Sequence, residues 1–314
     1  LILISKIVSL ISNNLKIKSI AMILYLISPH IVSTTTVMNR DQLIIFSFLI
    51  IIRSSFMLAQ HKGNLIKNYC MISAALIACY FLRLPFIYIF TVTSIIISAM
   101  YTKTKITASL FLIVIVAMII VNSFSFFNTN YNKETNMFKV YNEKQRDMSE
   151  SYELFGSGVS SLLVSDYSSY AIPKKIIFLP IPTLVQYLTP INVWNIHHQS
   201  PWYYLSVNYN IVWLIFIGPL CIFTLFYIPK LPTEYKYLYF ISLIGYCFIA
   251  FVYSGLIPRY AFIFMTSAII PMSFILSSIK SARVFRLKYY RFQTIYLFGS
   301  LFSLLIYFFL FKLF

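Results

Sequence analysis

Residues 42–59 have the sequence QLIIFSFLIIIRSSFMLA, in which Arg53 is the only charged residue. A transmembrane helix needs about 20 consecutive, mostly apolar residues, and this stretch nearly reaches that length. It lacks the period-two alternation that marks the strands of a membrane β-barrel. The stretch therefore predicts a membrane-spanning helix. Arg53 lies towards its second end, where a long basic side chain can extend to the interface.

The rest of the chain repeats this pattern. Of its 314 residues, 60% are hydrophobic and 11% are charged, whereas soluble domains have about 45–50% and about 25%. Charges and prolines separate further apolar runs at 1–12, 17–37, 68–82, 86–101, 106–127, 211–228, 237–257, 261–279 and 294–311. We expect an all-α, polytopic transmembrane helix bundle with about nine to ten spans.

Three regions follow from this pattern. Residues 1–127 and 211–314 hold the N-terminal and C-terminal transmembrane helices, and 128–210 form a large outer loop. Within this loop, Pro180 and Pro182 exclude a straight helix over 176–191, so we expect a re-entrant or interfacial element there. The chain begins inside an apolar run without Met, which indicates that its N-terminus is truncated.

The net charge of +17 is distributed in small basic groups between apolar runs, so it does not indicate a nucleic-acid partner. If successive helices cross the membrane in alternate directions, every basic loop lies on one side of the membrane. These loops contain Lys16 and Lys18, Lys62 and Lys67, Lys103 and Lys105, Lys230 and Lys236, and residues 280–291. The positive-inside rule makes that side cytoplasmic. Segment 128–175, with six basic and six acidic residues, is then outside.

Three arginines stand apart from this pattern. Arg40, Arg83 and Arg259 lie at the outer ends of predicted helices, where topogenic charge is not expected. The planar guanidinium group matches two phosphate oxygens at once, so these arginines favour binding of a lipid-linked diphosphate. The alternative for each arginine is a side chain that extends to the interface or pairs with an acid.

The outer loop also holds candidate catalytic residues. His197 and His198 lie between Trp194 and Trp202, and a neutral imidazole can act as general base towards a sugar hydroxyl. The alternative is an interfacial loop with surface histidines. Asp166 is the outer acid best placed for a site. The cysteines and histidines lack metal-ligand spacing, and no nucleotide-binding fingerprint is present, so no metal or cofactor is expected.

Five short motifs occur in a familiar order: SPHI at 28–31, NRDQLI at 39–44, FLRLP at 81–85, FLPIP at 178–182 and PRY at 258–260. Between about residues 28 and 275 the chain resembles bacterial O-antigen polymerases of the Wzy type. It departs from that pattern at Leu84, which separates Arg83 from Pro85, and at Arg40, where Lys is more common.

The resemblance implies a glycosyl transfer at the outer face of the bacterial inner membrane. A growing glycan on undecaprenyl diphosphate would be moved onto the next lipid-linked repeat unit. The outer arginines would hold the diphosphate and stabilise its leaving charge. The expected partners are the undecaprenyl-diphosphate-linked glycan, membrane lipids and other polysaccharide-assembly proteins.

Three other functions stay open at this point. A GT-C glycosyltransferase that uses a polyprenyl-phosphate sugar has a similar topology but usually carries paired acids in its first outer loop, where this chain has Asp41 alone. A transporter or flippase of lipid-linked glycans is expected to carry charges inside several helices. The third is a non-catalytic assembly scaffold.

Overall fold

The computed structural model describes residues 1–28, 40–83, 85–100, 213–253 and 258–312. Within these ranges the chain forms nine α-helices and no strand, which confirms the all-α prediction for the described part. A π-helical turn, Trp213–Ile217, precedes α6, and a 3-10 turn, Ile228–Lys230, follows it. The helices are α1 Ile2–Ile11, α2 Leu15–Leu26, α3 Arg40–Ala59, α4 Leu65–Leu82, α5 Pro85–Met100, α6 Gly218–Tyr227, α7 Thr233–Tyr253, α8 Pro258–Ser281 and α9 Arg283–Lys312.

Local signals in the sequence fix several of these boundaries. The side chains of Asn14 and Asn64 accept hydrogen bonds from the backbone N–H groups of Lys16 and Lys67, at 2.9 and 3.2 Å, and so cap α2 and α4. The turn before Asn64 contains Gly63 at φ +77°, a conformation that favours glycine. Helices α5 and α8 each begin at a proline, which lacks the N–H group that a first turn leaves unpaired.

Three helical segments among the described residues are long and apolar enough to cross a membrane: Gln42–Ala59, Leu65–Leu82 and Ile263–Ser281. Shorter apolar helices cover Ile2–Ile11, Pro85–Ser98 and Ile215–Lys230. These helices support membrane association of the chain. The predicted span 106–127 and the outer loop 128–210, with its element at 176–191, lie outside the described residues.

Helices α3 and α8 form the centre of the described bundle. Helix α3 packs against α1, α4, α5 and α8, while α8 also packs against α2, α6, α7 and α9. The least buried stripe of α3 contains Leu43, Phe46 and, two turns later, the half-buried Arg53. Arg53 is half-buried as a residue, but its Nε atom is buried and has no hydrogen-bond partner among the described residues.

The predicted basic loop 280–292 differs from what the structure shows. Only Ala282 separates α8 from α9, and residues from Arg283 onwards are helical. Residues 280–298 contain neither Gly nor Pro, and Arg, Lys and Leu are good helix formers. An inward stripe of Phe285, Tyr289 and Phe292 packs against α6 and stabilises these first turns. Helix α9 therefore has 30 residues and a length of about 45 Å.

Candidate functional site

Arg83 occupies the turn between α4 and α5, and its backbone is held on both sides. Its N–H group donates to the carbonyl of Cys79 at 2.7 Å, which closes α4. Its carbonyl accepts from the N–H group of Phe86 at 3.1 Å, in the first turn of α5. These bonds tie the backbone of Arg83 to two packed helices, and its side chain is half-buried.

Arg40 and Arg259 are placed by their helices. Arg40 is the first residue of α3, and Arg259 is the second residue of α8, directly after Pro258. Each candidate arginine thus lies at a helix end, as the sequence predicted. In α8 the proline fixes φ at the helix start, so the backbone enters the first turn in one conformation.

An aromatic cluster joins the helices that carry these arginines. Phe264 of α8 lies with its ring centroid 5.2 Å from Phe48 of α3 and 6.1 and 6.3 Å from Phe86 and Phe90 of α5. All four side chains are fully buried. Phe248 of α7 lies 6.4 Å from Phe86. We call these five residues the phenylalanine cluster; it holds the first halves of α3, α5 and α8 together.

The phenylalanine cluster brings the three arginine-bearing helix ends to one end of the bundle. Arg83 precedes Phe86 by three residues, and Arg259 precedes Phe264 by five. At 1.5 Å per residue, the step from Arg259 is about 7.5 Å along the helix axis, and Arg83 is bonded through its carbonyl to the N–H group of Phe86 itself. Arg40 precedes Phe48 by eight residues, or about 12 Å. The backbones of all three arginines therefore lie within about 12 Å of the phenylalanine cluster, measured along the helix axes.

The basic loops lie at the opposite end. The Gln60 side chain donates to the carbonyl of Leu10 at 3.1 Å and joins the end of α3 to the end of α1. The rings of Tyr227 and Phe285 lie 4.7 Å apart and join the end of α6 to the start of α9. Four of the five basic groups fall within the described residues, and these contacts join their loops in two pairs. Residues 103 and 105 are not among the described ones.

Tyr235 links the two parts of this basic end. Burial raises the pKa of Tyr235, the neighbouring Ser12 hydroxyl lowers it, and the Glu234 carboxylate adds to the rise. The Tyr235 hydroxyl is close to Ser12 but makes no well-formed hydrogen bond. Its ring packs 4.7 Å from Phe274 of α8. The α1–α2 turn and the start of α7 therefore lie side by side, which extends the basic end across the bundle.

The other candidate residues cannot be placed against this geometry. His197, His198 and Asp166 lie outside the described residues. In the part of the chain that the structure describes, no group of three or more His, Cys, Asp or Glu side chains could hold a metal ion. The described part of the candidate site consists of the arginine-bearing helix ends above the phenylalanine cluster.

Two structural features of the bundle escaped the sequence reasoning. The phenylalanine cluster gave no signal, because the chain has 30 Phe residues and those of the cluster follow no shared period. The second feature is Gln293, whose side chain donates to the carbonyl of Ile215 in the π-helical turn at 3.0 Å. Gln293 lies one residue before the predicted span 294–311 and two after Arg291, so the sequence carried no signal for this contact.

The chain matches no protein-family model, no curated protein and no solved structure.

Proposed function

We propose that the chain is a membrane glycosyltransferase that polymerises undecaprenyl-diphosphate-linked repeat units at the outer face of the bacterial inner membrane. The observation that carries the proposal is the contact between Phe86 and Phe264. It brings the helix ends of Arg83 and Arg259 to one end of the bundle, away from the basic loops. A diphosphate needs several cationic donors at one place, and two arginines from distant parts of the sequence can supply them.

The proposed topology has nine to ten spans, with loop 128–210 on the arginine side. Basic loops at the other end would be cytoplasmic by the positive-inside rule. The arginine end would then face the periplasm, where lipid-linked repeat units are assembled into long chains. This arrangement puts the loop that carries Asp166, His197 and His198 on the same side as Arg83 and Arg259.

The reaction proposed for this site is a displacement at the anomeric carbon of the growing glycan. A hydroxyl of the incoming repeat unit attacks that carbon, and the bond from the carbon to the diphosphate oxygen breaks. Undecaprenyl diphosphate leaves with the electron pair of that bond. The proton of the attacking hydroxyl passes to a base, for which His197, His198 and Asp166 are the candidates. The arginines stabilise the charge that develops on the leaving diphosphate.

A transporter of lipid-linked glycans gains little support from the described helices. In the three segments long enough to span, Arg53 is the one charged residue more than two positions from a segment end. A path for a charged substrate through the bundle usually has several such residues, facing inwards. In these three segments Arg53 is half-buried, and no second such charge accompanies it. The observation favours a site at one end of the bundle over a path through it.

Replacement of Arg259 by Lys in cells tests the proposal. Arg259→Lys keeps the positive charge but removes the bidentate fork, so we expect most long surface glycan chains to be lost. The chain-length distribution on a gel measures this, and an immunoblot of membranes checks that the protein accumulates. The matched control is Arg53→Lys, which should leave the distribution unchanged. Long chains of normal length from Arg259→Ala would overturn the proposal.

A further inference from the structure

Between Val284 and Phe302, one face of α9 is left uncovered by the other described helices. Its exposed apolar residues recur every three or four positions, the spacing of a single helix face. Their exposed fractions are 68% for Val284, 52% for Leu287, 71% for Ile295, 69% for Phe298 and 64% for Phe302. Arg291, also exposed, falls in the same register between Leu287 and Ile295. We call these six residues the α9 stripe.

The opposite face of α9 packs against α6, so the α9 stripe faces away from α6. The Phe223 ring of α6 lies 5.2 Å from Tyr289 and 5.4 Å from Phe292. Gln293 adds its hydrogen bond to the π-helical turn. These contacts fix the orientation of the first three turns of α9 about the helix axis.

Positive charge is concentrated where the α9 stripe begins. Arg283, Arg286 and Lys288 are exposed beside it. The first turn of α9 contains no acid, although a helix N-terminus favours negative charge. Within residues 213–312 the sequence has one acidic residue, Glu234.

We infer that the α9 stripe and its flanking cations bind an acidic phospholipid of the leaflet at the basic end of the bundle. The phosphate lies at Arg291 and Lys288, and the acyl chains run along Ile295, Phe298 and Phe302. From Arg291 to Phe302 the helix rises about 16 Å, which matches half of a hydrocarbon core of about 30 Å. A soluble anion would explain the exposed cations at the start of α9, but it would not explain the exposed apolar residues that follow them along the helix.

This inference does not depend on the proposed glycosyl transfer, because the surface lies at the end of the bundle opposite Arg83. Its test uses the full chain in nanodiscs that contain equal amounts of phosphatidylcholine and phosphatidylglycerol. Native mass spectrometry after release into mild detergent counts the lipids of each kind that stay bound. We expect the wild type to retain phosphatidylglycerol in preference to phosphatidylcholine.

The decisive variant is R286Q/K288Q/R291Q. Each basic residue near an anionic headgroup contributes a factor of about five in affinity, so the preference for phosphatidylglycerol should fall at least about tenfold. The matched control is K16Q/K62Q/K67Q, which removes three exposed charges at the same end, on α2, in the turn between α3 and α4, and on α4. The control should keep the preference. Equal losses in both variants would overturn the inference, because total charge would then explain the binding.

Competition separates a lipid from a free anion. An excess of inorganic phosphate should leave most phosphatidylglycerol bound, since phosphate cannot replace the contacts of the acyl chains. As a second check, Ile295→Ser should weaken retention without changing any charge. Complete displacement by inorganic phosphate, together with unchanged retention in Ile295→Ser, would contradict a lipid as the occupant.

Discussion

The rings of Phe86 and Phe264 lie 6.1 Å apart at an interplanar angle of 22°, and both are fully buried. The first residue sits one turn after Arg83, and the second sits little more than one turn after Arg259. Residues separated by 178 positions in the sequence thus meet inside the bundle. Because both phenylalanines belong to packed helices, their contact holds the two helix ends that carry the arginines on one side of the phenylalanine cluster.

The contact between α7 and α8 should be sensitive to a single methyl group. A Cβ atom added at Gly245 would overlap the side chain of Phe264 in the cluster. We expect Gly245→Ala to lower stability by about 1–3 kcal/mol, the usual cost of overpacking. Thermal unfolding of the detergent-purified protein, followed by size-exclusion chromatography, measures the change.

Gly299→Ala is the matched control, since a Cβ atom there has no neighbouring atom within 4 Å. Replacing a helical Gly by Ala at such a site should stabilise the chain by up to about 1 kcal/mol. Equal effects of the two substitutions would show that α7 and α8 do not pack as closely at Gly245 as described.

Gln293 should stabilise the start of α6 through its hydrogen bond to Ile215. In Gln293→Leu the carbonyl in the π-helical turn loses this donor, and we expect a loss of about 1 kcal/mol. The neighbouring Thr294→Ala serves as the control, because the Thr294 hydroxyl bonds only to the carbonyl of Tyr290 in its own helix. The same thermal assay applies. An unchanged midpoint for Gln293→Leu would argue against the contact between α9 and the π-helical turn.

The side assignment of the loops can be tested by labelling single cysteines. In a variant without its four native cysteines, Asn13→Cys and Ala282→Cys should both resist a membrane-impermeant maleimide added from outside, because they lie at the basic end. Ser149→Cys, in segment 128–175, should react. If Asn13→Cys and Ala282→Cys react from opposite sides, the common basic end is wrong. If all three results are reversed, the arginines face the cytoplasm and the proposed reaction has to be abandoned.

Much of the helical layout could be predicted from the sequence because its boundaries carry local signals. The runs at 68–82 and 86–101 correspond to α4, Leu65–Leu82, and α5, Pro85–Met100. Asn64 and Pro85 mark the two starts. The sequence does not predict the first turns of α9 as helix, because a basic group between two apolar runs is also typical of a cytoplasmic loop. Arg and Lys favour helix, and the aromatic stripe that holds these turns becomes evident only in contact with α6.

The candidate site could be predicted only in part. Charge patterning placed Arg83 and Arg259 at the same end of the bundle, since that argument needs only the order of helices. It could not show which helices touch. The contacts of Phe48, Phe86 and Phe264 depend on side-chain packing between helices distant in sequence, and this packing leaves no periodic trace among so many phenylalanines.

The central claim is that Arg83 and Arg259 bind one diphosphate, and the most direct measurement is a double-mutant cycle on binding. Purified wild type, Arg83→Lys, Arg259→Lys and the double variant are titrated with undecaprenyl diphosphate in nanodiscs, with Arg53→Lys as the control. We predict that each single variant weakens binding at least about tenfold and that the double variant loses less binding free energy than the two single variants together, with a coupling of about 0.5–3 kcal/mol. Arg53→Lys should bind as the wild type does. Unchanged affinity in both single variants, or strictly additive losses, would contradict the claim.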